Sequence, residues 1–485
     1  MSIASWIATH AQSDRTAFWF EDESTSYAQL HERIETTAKG LLQAGVGPGD
    51  RVGYCGLNRL ELFEALFACA RIGAIFLPFN NRLIATELAT QIEDSTPSLV
   101  LVTDDFADLV TSATSAVAVR DLDREPFVAT GTEAVELPTE PGDPDAVVLM
   151  VYTSGTTGQA KGAMLSQRAM LHTTLNSIDH QQLTNDDCVI APLPTFHVGG
   201  LNIQTLPTLY VGGQVLLQRS FDPAEVLSLI AEHEVTQTLL VPAMLSAVAA
   251  QPTFATTDLS SVRGINTGSS IVPAQVMAPY FDRGVPVGQV YGTTETGPTA
   301  VVLDYEDALE HIGSCGQPAT HTELRLVDSH GVDVVDGSPG ELWLRGPNIF
   351  SGYWNNPEAT AEAFVDGWFR TGDVGYRDPN GFVVISDRIK DVVISGGENI
   401  YPAELEPVLV EHPAIAEVAV VGQSDERWGE VPVAVAVLVE GATLSIEELR
   451  DWSGDRLARY KMPRALRVVD TLPRTALGKV KRHEL

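Results

Sequence analysis

Apolar positions follow two different periods along this chain. In the early part, short runs rich in β-branched and aromatic residues alternate with stretches in which apolar residues return every three or four positions. Arg51 to Cys55 reads as a strand. Leu60 to Ile72 reads as a helix, because Leu62, Phe63, Leu66, Phe67 and Ala70 fall on successive turns, and Ala74 to Phe79 reads as the next strand. A further helix, about Thr86 to Glu93, leads into Ser98 to Thr103. Asp222 to Glu234, opening on Asp-Pro and carrying Val226, Leu227, Leu229 and Ile230, repeats the pattern ahead of Gln237 to Val241. Strands separated by helices predict parallel sheet in α/β layers.

From about Gly316 the texture changes to short strands between Gly/Asp turns, at Thr322 to Val327, Gly340 to Arg345 and Gly381 to Ile385. That spacing predicts a twisted antiparallel sheet or small barrel. Beyond Lys390 a separate unit is predicted, with helix Ala403 to Glu411, strands Val418 to Val421 and Pro432 to Val439, and helix Ile446 to Leu457. The fold class is therefore α/β. A large N-terminal domain of mixed sheets, residues 1–387, includes a barrel-like β subdomain at about 316–387, and a small mobile α+β domain occupies 388–485. The boundary near Ser386 to Asp391 is short, so the two would pivot there.

Composition narrows the class. At 44% hydrophobic and 20% charged residues, the 485-residue chain reads as an ordinary globular protein too long for one core. No stretch approaches the ~18 uninterrupted apolar residues of a membrane span, and residues 1–15 lack a basic start followed by an apolar core, so a cytoplasmic location is expected. Cys55, Cys69, Cys188 and Cys315 have no paired spacing, which predicts buried small apolar residues rather than disulfides or a zinc site.

A net charge of −33 argues against nucleic acid or an anionic membrane as partner, and is compatible with a saline habitat. Its distribution says more. From Arg456 to Leu485 nine Lys/Arg stand against Asp470 and Glu484, while the remainder holds 22 basic and 62 acidic residues. A basic island on an acidic protein is either a solvated face or a segment that meets a phosphorylated ligand.

The phosphate side of that pairing is visible elsewhere. The apolar run Ala146 to Val151 leads into Tyr152, Thr153, Ser154, Gly155, Thr156, Thr157, Gly158, Gln159, Ala160, Lys161 and Gly162. A strand followed by a hydroxyl- and glycine-rich loop ending in lysine can cradle a polyphosphate, with backbone N–H groups approaching the anion and an ammonium beside them. It is not a Walker A loop, because Ala160 and Gly162 stand where that motif has Gly and Ser/Thr. Gly45-Val46-Gly47-Pro48-Gly49 fails the dinucleotide spacing and precedes a strand, so it reads as a turn.

Four further motifs follow in order. They are Tyr291-Gly292-Thr293-Thr294-Glu295-Thr296-Gly297 after the apolar Val285 to Val290, Thr371-Gly372-Asp373, Asp387-Arg388-Ile389-Lys390, and Pro473-Arg474-Thr475-Ala476-Leu477-Gly478-Lys479. Each alone is weak. In this order over the whole chain they resemble the ANL superfamily of adenylate-forming enzymes, closest to AMP-forming acyl-CoA synthetases. The resemblance implies ATP, Mg²⁺ and CoA as cofactors and a small carboxylic acid as partner, with a homodimer as a compatible assembly.

Residue by residue, the resemblance implies that Thr153 to Gly158 and Lys161 cradle the β- and γ-phosphates, and that Glu295 holds Mg²⁺ with Thr156 beside it. Tyr291 would stack on adenine, and Gly268, Ser269, Ser270, Gln289 and Gly292 would complete the nucleotide side. Thr294 would donate to the α-phosphate, Asp373 would take the ribose hydroxyls, and Arg388 would add a fixed cationic fork. Lys479 would be the catalytic lysine bridging carboxylate and α-phosphate. Lys390 matches the hinge, and rotation there would replace Lys479 with Gly396, Gly397 and Glu398, whose glycines admit a pantetheine arm. Relatives often carry Gly-Gly-Ala where this chain has Gly268-Ser269-Ser270, which leaves the adenine contacts there open.

Pro192 to Leu201 resembles the wall of the acyl pocket. Adenylation domains that load amino acids usually place an aspartate near here, and this chain has none before Asp222. A neutral wall with Gly199 and Gly200 predicts an aliphatic or aromatic acid with room for bulk. His197 would pack against the carboxylate or gate the tunnel, and Asn202 and Gln204 would read a polar substituent or face solvent. The expected activity is acid:CoA ligation. The alternative is adenylation with delivery to a carrier-protein thiol or an amine. Two further readings rank lower: a luciferase-like oxygenase on the same scaffold, and a nucleotide-binding pseudo-enzyme, which would be expected to have lost Lys479 or Glu295.

Overall fold

The structure, a computed structural model, describes the chain except residues 1, 129–134, 139–142, 154–159, 270–271, 389–390, 396–397, 426–427, 455, 458, 460 and 476–477. For residues 387, 388, 394, 398, 399, 429 and 483 it describes the backbone alone. The strands of the described residues form four sheets.

Two of them make the large body. In one, Arg51–Cys55, Ile75–Pro78, Leu99–Val102 and Ala118–Asp121 run parallel, Val147–Thr153 joins at Ile75–Pro78, and the antiparallel strands Lys161–Ser166 and Gly352–Tyr353 complete that edge. In the other, Thr16–Phe20, Gln214–Leu217, Cys188–Ala191, Gln237–Leu239, Gly264–Gly268 and Val287–Tyr291 lie parallel in that order.

Successive strand residues face opposite sides, and here both sides are buried. Val189 and Phe76 enter one core, with the helices Tyr27–Gln43, Leu60–Ile72 and Gln167–Gln181 held between the sheets. Ile190 packs outward on the helices Pro223–His233, Pro242–Ala249 and Ala274–Phe281, while Leu77 packs on Ala85–Ser95. This two-sided burial explains the continuous apolar runs of the parallel strands. Local chemistry fixes the helix ends. Asp222 accepts from Ala224 N and Glu225 N at 2.8 and 2.9 Å with Pro223 as the first helical residue, and Gly73, at φ +77°, closes Leu60–Ile72.

The third sheet is the five-stranded antiparallel unit anticipated after Gly316. Within it Trp368–Arg377 pairs with Val383–Arg388 so that Asp373 stands directly opposite Arg388. The chain then passes to a fourth sheet, which begins with the hairpin Val393–Ser395 and Glu398–Ile400 and is dominated by the hairpin Ile415–Asp425 with Gly429–Leu438. All four cysteines are buried thiols, and burial pushes Cys55 and Cys188 up to about 12. No described helix is long and apolar enough to cross a membrane.

Candidate active site

The strands Gly264–Gly268 and Val287–Tyr291 are parallel neighbours with Gly268 opposite Val290, and both end at one cavity of about 310 Å³. Its walls come from both parts of the chain. Gly268, Ser269, Gln289, Tyr291, Gly292, Thr293 and Asp373 line one side, and Asp391, Glu406, Arg474, Lys479 and Arg482 line the other.

The first wall is built by close backbone approach. A Cβ at Gly268 would lie 2.3 Å from the Val290 carbonyl oxygen, and one at Gly292 would lie 1.8 Å from that of Pro298. Only glycine fits at these positions. Ser269 follows with φ +74°, a left-handed conformation that costs a side-chain-bearing residue roughly 1–2 kcal/mol. Strain of this kind clusters at functional sites.

Two polar groups stand ready in the same wall. The Gln289 side chain is buried, and its Nε2 finds no hydrogen-bond partner among the described residues, so it offers a donor to whatever fills the cavity. Asp373 is buried and accepts from the Tyr291 hydroxyl at 2.7 Å. Burial, reinforced by Asp373, holds the Tyr291 phenol well above its ordinary range, so it stays protonated and keeps donating. That bond fixes both the ring and the carboxylate in the cavity wall.

On the facing wall a tight turn presents Lys479. Thr475 N donates to Lys479 O at 2.7 Å, Lys479 N donates to Thr475 Oγ1 at 3.2 Å, and Gly478 takes φ +81°. Arg474 braces the turn by donating to Gly478 O at 2.7 Å and pairing with Glu417. Arg482 anchors the segment below it, reaching both Glu406 oxygens at 2.8 Å and Asp391 at 3.6 Å. The basic island is thus partly neutralised where it folds back, and it carries Lys479 to the cavity.

Glu295 lies behind this surface, outside the cavity lining, on the short 3-10 turn Thr294–Thr296. It is buried, and its Oε1 accepts from the Tyr353 hydroxyl at 2.8 Å. Lys161 stands with its Nζ 5.1 Å from the centroid of the same tyrosine ring. The described residues contain no cluster of three acidic, His or Cys ligands. A buried carboxylate with a neutral hydroxyl donor suits Mg²⁺, which commonly takes one or two protein carboxylates and completes its shell with phosphates and water.

The structure therefore brings together Gly268, Ser269, Gln289, Tyr291, Gly292, Asp373 and Lys479 in one cavity, and Lys161 with Glu295 around Tyr353. Thr294 stays out of the lining, and its neighbour Thr293 enters it. Thr153 sits opposite Lys161 in the strand pair that precedes the loop. Ser154, Gly155, Thr156, Thr157, Gly158, Ser270, Lys390, Gly396 and Gly397 lie outside the described residues, as do the side chains of Arg388 and Glu398. The backbones of Ser395 and Glu398 pair at the end of their hairpin. Sequence reading missed Thr293, Glu406, Arg482 and Tyr353. Arg482 was visible only as part of the basic tail, and nothing local marked Tyr353.

The segment expected to line the acyl pocket differs from its reading in one respect. Gly200 leaves no room, because a Cβ there would meet Pro194 O at 2.4 Å and Leu193 O at 3.0 Å; it sits in the short helix Val198–Asn202, packed against the backbone of the turn before it. Gly199 is the open position, with only Leu193 and Ile203 side chains at 3.9 and 4.0 Å. Those two side chains join Leu239, Val241 and Val290 in an apolar cluster that reaches the cavity through Val290. Asn202 and Gln204 are both buried, and Gln204 donates to Gln181 Oε1 at 3.0 Å, so neither faces solvent. Burial, with Arg82 adding to it, lowers His197 to about 4, so the imidazole is neutral at pH 7.

Among known proteins, residues 6–354 match the family of AMP-binding enzymes and residues 404–479 match the AMP-binding enzyme C-terminal domain. An indoleacetate–CoA ligase of Aromatoleum aromaticum is 44% identical, with 100% of this chain and 98% of the relative covered. A feruloyl-CoA synthase of an Amycolatopsis species is 41% identical over 100% of this chain and 98% of its own. The O-succinylbenzoate coenzyme A synthetase of Bacillus subtilis, in complex with ATP and magnesium ion, superposes with a TM-score of 0.91 at 34% identity, covering 99% of each chain.

Proposed function

The chain belongs to the family of AMP-binding enzymes, and on that premise we propose how its residues divide the work of an AMP-forming acid:CoA ligase. The enzyme activates a carboxylic acid with ATP to an acyl-adenylate and pyrophosphate, then transfers the acyl group to the CoA thiol with release of AMP. Indoleacetate and ferulate ligases among its relatives, together with the uncharged cluster of Leu193, Ile203, Leu239, Val241 and Val290, support an aromatic acid as substrate.

The first step brings a carboxylate to an α-phosphate, anion to anion, so the barrier is electrostatic. Mg²⁺, when bound beside Glu295, neutralises part of the phosphate charge. Lys479 supplies the mobile positive charge between the two reacting anions. Asp373, locked by Tyr291, accepts from the ribose hydroxyls, and Gln289 offers its unpaired amide to the base. Gly268 and Gly292 let the backbone come close enough to enclose the nucleotide. His197, neutral and half-buried, orients the acid without serving as a proton donor of imidazolium type.

Residues 1–387 act as the adenylation core and 388–485 as the mobile part, pivoting at Lys390, so that Lys479 leaves before Gly396, Gly397 and Glu398 admit the CoA arm. The observation that carries this reading is the single cavity shared by Asp373, Tyr291 and Lys479. Pyrophosphate release measured over indoleacetate, cinnamate, benzoate and straight-chain acids, with thioester and AMP scored with and without CoA, tests it. Aromatic acids should lead and AMP release should require CoA. Turnover confined to aliphatic acids would remove the substrate assignment, and AMP release independent of CoA would point to another acceptor.

A further inference from the structure

Tyr353 belongs to none of the motifs that carry the activity, yet it touches two of them. It sits in the two-residue strand Gly352–Tyr353, antiparallel to Lys161–Ser166, with Tyr353 opposite Ala163. On either side the backbone is bound to that strand, Ser351 N donating to Met164 O and Trp354 N to Gly162 O, both at 2.8 Å. Tyr353 N donates to Thr360 Oγ1 at 2.9 Å, and the Phe350 ring packs edge-on at 4.9 Å. Phe350 N in turn donates to the Glu295 carbonyl at 2.8 Å, so the same short segment is tied to the strand of Lys161 and to the turn of Glu295.

The side chain repeats the link with its functional atoms. Its hydroxyl donates to Glu295 Oε1 at 2.8 Å, and its ring faces the Lys161 ammonium, 5.1 Å from centroid to Nζ. We infer that Tyr353 is a positioning residue for adenylation, holding the metal-binding carboxylate through its hydroxyl and the phosphate-facing lysine through its ring. This rests on the reading of Glu295 and Lys161 given above. Tyrosine suits both tasks: the phenol fixes one carboxylate oxygen and leaves the other for a cation, and the π face attracts the ammonium without neutralising it. A second carboxylate or a lysine in its place would cancel one of the two charges.

The hydroxyl and the ring can be separated by Tyr353→Phe and Tyr353→Leu, with Glu295→Gln and the Tyr353→Phe/Glu295→Gln pair as reference. Mn²⁺ binding to the ATP-loaded protein, read by electron paramagnetic resonance, reports the metal without turnover, and thermal melting confirms that each variant is folded. Removing the hydroxyl should weaken Mn²⁺ affinity by about 10- to 100-fold, the usual effect of losing a ligand's own hydrogen-bond partner. Metal-free ATP binding should be unchanged in Tyr353→Phe and weaker in Tyr353→Leu. Adding Tyr353→Phe to Glu295→Gln should do nothing more to Mn²⁺. Parental Mn²⁺ affinity in Tyr353→Phe, alongside a clear loss in Glu295→Gln, would overturn the inference. Parental affinity in Glu295→Gln would instead show that the metal reading itself is wrong.

Discussion

Gly199 and Gly200 are adjacent, both glycine, and opposite in what they tolerate. A methyl added at Gly200 would sit 2.4 Å from Pro194 O, 2.8 Å from Pro194 C and 3.0 Å from Leu193 O, all main-chain atoms of the preceding turn. Pro194 O already accepts from His197 N at 3.2 Å, so it cannot retreat without breaking the bond that shapes the turn. Overpacking against backbone costs about 1–3 kcal/mol, only partly offset by the roughly 1 kcal/mol that alanine gains over glycine in the helix Val198–Asn202. At Gly199 the nearest atoms are side-chain methyls of Leu193 and Ile203 at ordinary contact distance, so Gly199→Ala should be neutral or slightly stabilising. Differential melting of the two alanine variants reads the first contrast. Gly199→Leu should then fill the space beside Leu193 and Ile203 and reduce activity on bulky acids while sparing small ones, measured as pyrophosphate release across the same acid series. If Gly200→Ala melts with the parent, the packing argument fails; if Gly199→Leu keeps the parental acid profile, this segment does not bound the acyl site.

Lys479→Ala should lose adenylation by about 10²–10³, the value of one transition-state contact to charge, while thioester formation from supplied acyl-adenylate survives; an equal loss in both half-reactions would refute the division of labour. Lys390→Pro should show the reverse, with adenylate accumulating and thioester formation slowed, because proline fixes φ near −65° at the proposed pivot; equal retention of both steps would remove it as the hinge. Burial, with Arg82 adding to it, lowers His197 from an ordinary 6.5 to about 4, so between those values the unfolded chain binds the extra proton and stability falls as pH drops from about 7. By pH 5 the cost is about 2 kcal/mol, and His197→Gln should flatten the urea midpoint between pH 7 and 5 relative to the parent; parallel curves would show the imidazole is not held neutral.

The sequence made the fold legible wherever burial was two-sided or periodic. Leu60–Ile72 was readable to the residue because its apolar faces repeat over three turns and Gly73 stops it. Strand Ile415–Asp425 is much longer than the Val418 to Val421 its apolar core suggested, because Gln423 and Ser424 lie on an exposed stretch of a hairpin, where pairing and not apolarity sustains the strand. The helix read as Ile446 to Leu457 stops at Ser453, where Gly454 follows. At the site, Tyr291, Asp373 and Lys479 announced themselves because their chemistry travels in short motifs. Tyr353 and the packing of Gly200 did not, since both depend on what a distant or folded-back backbone places beside them.

Val290 stands where the two halves of the pocket meet. Its side chain belongs to the apolar cluster with Leu193 and Ile203, and its carbonyl is the atom that forbids any side chain at Gly268. On one side of this residue the neighbours are methyl groups that can be exchanged for others; on the other they are main-chain atoms that cannot. Substitutions can therefore accumulate on the Leu193 side, altering volume a methyl at a time, while the glycine side stays fixed whatever acid is being used. On the proposed assignment of the apolar side to the acid and the glycine side to the nucleotide, such a scaffold can diversify its carboxylic acids under drift or in a directed library without first risking its grip on the nucleotide, and Leu193, Gly199, Ile203, Leu239 and Val241 are where such a library should begin.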